Sequence, residues 1–333
     1  MFINVCFITV QKKNLFHLDF SLFYCIIIVK NNFFFLNMEK KYKLTDETIN
    51  VMDRTLYRIE ALKDFGDVKK GDKDGFIEKE ENLSQYDDCW VYGHAKVYGD
   101  AEVFGNVKVC DNASVFGNAT VHGNARICSN AKVYGNAQVY DNAKVYGNAV
   151  VCDKAQIYGN VEVHNNAMVC GNAEVYDNAM VYDNAKVYGN AQVQADAEVR
   201  DNARIYGNAK LRGSAKVYGD AVVFDNAKVC MDAEVYGKAI VLDNARIFNN
   251  AKIYGDAMVY GNTEVYGNAE IFSNAEVYGN TEVYGNAKVY DDAKVCGNAE
   301  VYGYTRIYDN ATVYGNAKIY GNAEVCGDVK ISE

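Results

Sequence analysis

The 333-residue chain has no proline and a single tryptophan. Proline averages roughly 5% of residues in proteins, so its absence excludes proline-rich linkers and polyproline segments. Basic charge is also scarce: 34 Lys and Arg face 44 Asp and Glu, a net charge of −10 with no basic block. That excludes a nucleic-acid partner, which needs a cationic footprint. The ten cysteines contain no CxxC and no Cys/His ligand spacing, and the chain does not look like a small, core-poor disulfide framework. With 50% apolar and 23% charged residues it is not a disordered chain. A length prior of about 150 residues per domain suggests two domains.

Long apolar runs are missing as well. The longest, Phe20–Val29, has ten residues, short of the roughly 20 needed to span a bilayer as a helix. Lys12 and Lys13 precede it as in a signal peptide, but His17 and Asp19 interrupt and no A-x-A-like cleavage site follows. Lys30, Asn31 and Asn32 separate it from a second run, Phe33–Leu36, and Met38 opens the polar stretch MEKKYKLTDE. The reading adopted starts the protein at Met38, with residues 1–37 translated upstream in frame. A degenerate signal or membrane anchor is the alternative. The expected location is cytoplasmic, with membrane contact only if residues 1–37 are retained.

What is present is a six-residue repeat. From Val91 to Ile331, 41 positions spaced by six hold Val or Ile, except Leu211. Four residues after each comes a small residue: Ala at 34 of 40 positions, the others being Val107, Val161, Thr263, Thr281, Thr305 and Val329. No insertion or deletion interrupts it. In the unit A-x-V-Y-G-N, Ala and Val lie two apart and face one side of an extended strand, while x and Tyr face the other. Gly or Asp followed by Asn makes a corner. Asn holds 28 of 40 corner positions, as expected if Asn supplies a left-handed conformation there. Period six fits no helix, and one such strand cannot bury its face alone. Stacked coils solve this, predicting an all-β parallel solenoid with three strands and 18 residues per coil. About 13 coils, at roughly 4.8 Å each, give a rod about 60 Å long.

The aliphatic residue followed four positions later by a small one resembles the bacterial transferase hexapeptide family, the trimeric LpxA-like superfamily. The resemblance covers residues 91–331 and departs in one respect: Tyr, not Gly, usually follows the aliphatic residue. It implies a left-handed β-helix, against the general preference for right-handed crossovers. It also carries an acyltransferase expectation: a trimer with a histidine at a subunit cleft and a loop holding coenzyme A or acyl carrier protein.

Residues 38–90 read as an N-terminal cap and 91–333 as the repeat domain. Tyr57, Ile59 and Ala61 alternate with Arg58 and Glu60 as a half-buried strand, Gly71–Gly75 is a turn cluster, and Phe76-Ile77 begins another strand. Trp90 immediately precedes the first repeat Val. This stretch is similar to the N-terminal segment of the YdcK-like branch of that superfamily, to which the resemblance attaches no activity. Nothing comparable follows Ile331, so an open strand edge and end-to-end association are expected there.

Chemistry-bearing residues are few. His94 takes an Asn corner position, and His122 and His164 take Tyr positions on different faces. The last two are the weak catalytic candidates, without a carboxylate or serine partner in view. Seven cysteines also take Tyr positions: Cys110, Cys128, Cys152, Cys170, Cys230, Cys296 and Cys326. Cys110/Cys128 and Cys152/Cys170 stack on adjacent coils with Cα atoms about 4.8 Å apart, within disulfide range. Free thiols in a reducing compartment are expected, with cross-coil disulfides as the alternative. Glu264, Glu282 and Glu300 form a like-charged strip, a weak metal candidate. Val222, Ile240 and Met258 occupy normally charged positions beside the Tyr218, Tyr236 and Tyr254 column, a stripe that predicts an interaction face; Val150 and Met168 lie along the same face. The function expected is a non-catalytic structural or interaction solenoid, self-associating as a trimer or end to end or binding a protein or glycan, with no cofactor. The alternative is the acyltransferase.

Overall fold

The computed structural model describes residues 24–29, 32–37 and 39–332. The leader features at Lys12, Lys13, His17 and Asp19, and the start at Met38, lie outside the described residues. β1 (Tyr24–Val29) pairs antiparallel with β2 (Asn32–Asn37). Among the described residues no helix is long and apolar enough to cross a membrane.

The repeats form the expected solenoid. Each unit contributes a short strand, and strands 18 residues apart pair in parallel, so that Val115 registers with Val133 and Val139 with Ile157. Three faces result. The first holds the strands at Lys96, Ser114, Lys132 and onward; the second, of 13 strands, those from Glu102; the third, of 14 strands, those from Trp90. The coil closes because Val and Ala both point inward. Val133, Ala137, Val139 and Ala143 are fully buried, and this continues along the rod. Burying each Val contributes about 1.5–3 kcal/mol relative to exposure. The buried hydroxyls of Thr263, Thr281 and Thr305 donate to the carbonyls of Tyr260, Tyr278 and Tyr302, each at 2.7 Å. Successive coils bond through the backbone, as in Lys132 N–H to Ala149 O at 2.9 Å, Tyr134 N–H to Val151 O at 3.0 Å and Asn118 N–H to Gly135 O at 2.7 Å. Proline has no N–H to give such a ladder.

The corners differ from the sequence expectation. The left-handed residue is the one before Asn, at every corner from Gly93 to Gly327. Where it is Gly the approach is close: a Cβ on Gly189 would meet Gly207 N at 3.0 Å. At most of the Asp corners the carboxylate accepts the N–H of the same corner one coil on, as Asp141 does from Gly159 at 3.1 Å and Asp201 from Gly219 at 2.9 Å. Asn has another role. Its side-chain amide donates to the Asn carbonyl one coil on, giving ladders such as Asn172–Asn190–Asn208–Asn226 with bonds of 2.9–3.1 Å. Asn is frequent because amides stack, not because of its backbone.

The cap continues the first face. β3 (Tyr42–Val51) pairs antiparallel with β4 (Arg54–Ala61), β4 with β5 (Lys73–Ile77), and β5 runs parallel to the strand at Lys96. In β4 the buried side chains are Leu56, Ile59 and Ala61, not the alternation from Tyr57; a register shift between Arg58 and Ile59 breaks the period of two. Trp90 is fully buried, edge-on to Tyr42 and Phe65 at 6.0 and 5.3 Å. Asn82 satisfies the carbonyls of Gly99 and Ala101 at 3.0 and 2.9 Å, covering polar groups that the first coil leaves open.

Candidate functional site

The solenoid turns every third Tyr position into a column of stacked rings. On the second face Phe104, His122, Tyr140, Tyr158 and Tyr176 stack with centroids 4.9–5.0 Å apart. On the third, Tyr218, Tyr236, Tyr254 and Phe272 stack at 4.8 Å. Parallel strands force the spacing, and each ring pair contributes about 0.2–1 kcal/mol. Tyr hydroxyls reach the Glu of the next coil: Tyr218 to Glu234 and Tyr254 to Glu270 at 2.9 Å, and Tyr182 to Glu198. Burial, then the Glu beside them, pushes the Tyr218 and Tyr254 phenols well above their ordinary value.

The two candidate histidines are rungs in these columns. His122 is sandwiched between Phe104 and Tyr140, each at 4.9 Å. His164 lies between Tyr146 at 4.8 Å and Tyr182 at 4.9 Å. Burial lowers the His122 pKa against the pull of Asp141. The structure places the two histidines on separate faces and does not bring them together. The three glutamates do stand in one column, with partners of their own: Arg246 pairs with Glu264, Tyr266 donates to Glu282 at 3.3 Å, and Lys318 pairs with Glu300 at 2.8 Å. Shallow polar hollows lie on the outside, one over Asn148, Asn166, Asn184 and Asn202.

Cys110–Cys128 and Cys152–Cys170 are disulfides, where free thiols were expected. Stacking sets their Cα atoms 4.6 and 4.7 Å apart, within bonding range.

The apolar stripe is wider than the sequence suggested. Val222 registers with Ile240 and Ile240 with Met258 on the first face. Tyr218, Tyr236 and Tyr254 lie around the corner on the third face, not beside them. The neighbours on the same strands are Phe224, Leu242 and Tyr260. All six side chains are half-exposed. The missed signal was simple: residues two apart on a strand share a side. Arg204 bounds the block at one end and Glu276 at the other.

With the coil geometry in hand, the repeats can be compared with known families. Residues 137–153, 251–267 and 305–321 match the YdcK beta solenoid repeat. Those three segments are similar to that repeat. The YdcK matches fall in the early, middle and late parts of the rod, and the register between them is unbroken. No curated protein matches the chain.

Proposed function

We propose that this protein is a non-catalytic interaction rod that pairs with a second copy through its first face. The observation that carries the reading is the block Val222, Phe224, Ile240, Leu242, Met258 and Tyr260: six apolar side chains turned outward on three successive coils. Contiguous exposed apolar surface of this kind marks contact surfaces. The occupant follows from charge. Arg204 lies two coils before Ile240 and Glu276 two coils after it. Two copies face to face and antiparallel, with the two-fold axis at Ile240, set Val222 against Met258 of the partner subunit and Arg204 against Glu276 of the partner subunit. A two-fold contact of this type is self-complementary. The histidines support a structural reading because both are stacked as column members.

The test is native mass in solution. The unmodified protein is expected to dimerise, the Val222→Lys, Ile240→Lys, Met258→Lys variant to be monomeric, and Arg204→Glu to weaken the dimer. Combining Arg204→Glu with Glu276→Arg restores it. An unmodified protein that stays monomeric at all concentrations, or a dimer indifferent to the triple variant, overturns the reading.

A further inference from the structure

Two places on the rod bring two sulfurs and a carboxylate together. On the third face these are Cys110, Asp111 and Cys128; around the first face, Cys152, Asp153 and Cys170. In each triad one ligand atom per residue lies within 4.8 Å of the others. The spacing is the same both times: Cys-Asp, then Cys one coil later. Sequence spacing alone hides the grouping, because the ligands are a whole coil apart along the chain.

The aspartates are held in place. Asp111 Oδ2 accepts the Ser129 N–H at 2.8 Å and Asp153 Oδ2 the Gly171 N–H at 3.0 Å. Each carboxylate is thereby fixed beside the second cysteine, with its other oxygen left over. The column cysteines without a stacked partner thiol, Cys230, Cys296 and Cys326, are followed by Met231, Gly297 and Gly327. Aspartate follows a column cysteine only where a second cysteine is stacked on it.

We propose that each pair, once reduced, binds one thiophilic divalent cation such as Zn²⁺ through its two thiolates and its aspartate. Reduction consumes two electrons: the S–S bond breaks, two Cys thiols form, and two thiols of a reductant become its disulfide. Binding then releases the two thiol protons, and two Cys–metal bonds form. Two Zn–S bonds of about 2.3 Å at a tetrahedral angle set the sulfurs roughly 3.8 Å apart. On reduction the two sulfurs, bonded to each other in the disulfide, therefore separate and the carboxylate oxygen closes in, movements that side-chain rotation on a fixed ladder supplies. Two thiolates with one carboxylate favour a soft cation over Ca²⁺ or Mg²⁺. Cys152 and Cys170 are buried, so a cation is the means of holding both as thiolates there.

The experiment uses the full chain, reduced with a phosphine and desalted without oxygen, with Co²⁺ as the probe. Two equivalents with thiolate-to-cobalt charge-transfer absorption are expected. Cys128→Tyr and Cys170→Tyr each restore the usual column residue and keep the rod folded, as circular dichroism and Trp90 fluorescence check. Each removes one equivalent, and together they remove both. The Asp111→Asn, Asp153→Asn variant retains a thiolate band at reduced affinity. Oxidised protein binds none. Absence of the thiolate band in reduced protein overturns the proposal, as does unchanged stoichiometry in the folded double Tyr variant.

Discussion

Asp74 grips both ends of the first repeat strand: its Oδ2 accepts the Trp90 indole N–H at 3.1 Å, and its Oδ1 accepts the Gly93 amide at 2.9 Å. The cap is thus tied to the rod at the one tryptophan in the chain. Asp74→Ala leaves a buried indole donor without an acceptor, which costs roughly 1–3 kcal/mol. Trp90 fluorescence should shift to the red at lower denaturant than in the unmodified protein, while the far-ultraviolet signal of the rod persists. Unchanged fluorescence unfolding contradicts the assignment.

The corner rule predicts opposite outcomes for two substitutions at one position. Gly189 has φ +73° and its missing Cβ faces the next coil at 3.0 Å. Gly189→Val puts a β-branched residue into the left-handed region and should cost about 1–3 kcal/mol. Gly189→Asp reproduces the arrangement of Asp141 and Asp201, with a carboxylate that accepts the Gly207 amide, and should be much milder. Guanidinium unfolding midpoints of the pair decide it.

Leu211 is fully buried and is the one position of its series that is neither Val nor Ile. Leu211→Ala opens a cavity worth about 2–5 kcal/mol. Each coil touches only its neighbours, so the loss should be local. Hydrogen exchange is expected to quicken around Val193, Leu211 and Val229 and to stay slow around Val295; uniform quickening argues against nearest-neighbour stability.

Alkaline pH should dissolve the columns. Burial raises Tyr158 and Tyr266 from 10.0 to about 12, with the nearby Glu residues adding to it. A raised folded-state pKa means the fold binds the phenol proton more tightly than the open chain does. This stabilisation is complete below pH 10, and it is lost as pH rises through about 12. Phenolate absorbance should lag behind free tyrosine and then rise with loss of the β-sheet signal. Ordinary titration with the fold intact contradicts this.

Much of this structure is legible in the residues. The Val and Ala positions dictate the coil, and the period of 18 dictates the ring columns. The corner misled because Gly/Asp and Asn are adjacent turn residues, and only backbone geometry separates the left-handed residue from the amide ladder. The cap was harder. β3 mixes polar and apolar residues across a register shift between Leu44 and Thr48. Lys41 looks like a surface lysine, yet it is buried against the Phe65 ring and donates to the carbonyls of Asp87 and Cys89 at 2.6 and 2.9 Å. Burial lowers its pKa. Long-range partners of that kind leave no periodic trace. Of the interaction stripe, the sequence showed Val222, Ile240 and Met258 but not which aromatic residues share their face.

The unbroken hexad has a consequence for how such a gene can change. One extra six-residue unit, inserted anywhere along the rod, leaves the inner Val and Ala undisturbed but rotates everything beyond it by one face. Every downstream column is then spliced onto the equivalent column of another face, so that Tyr236 would stack on Phe248 and Glu234 on Arg246. A whole additional coil does neither, and simply lengthens the molecule. The fold thus behaves like a thread with a three-start pitch, tolerant of growth by full turns and intolerant of fractions, with the outer surface rather than the core enforcing the count.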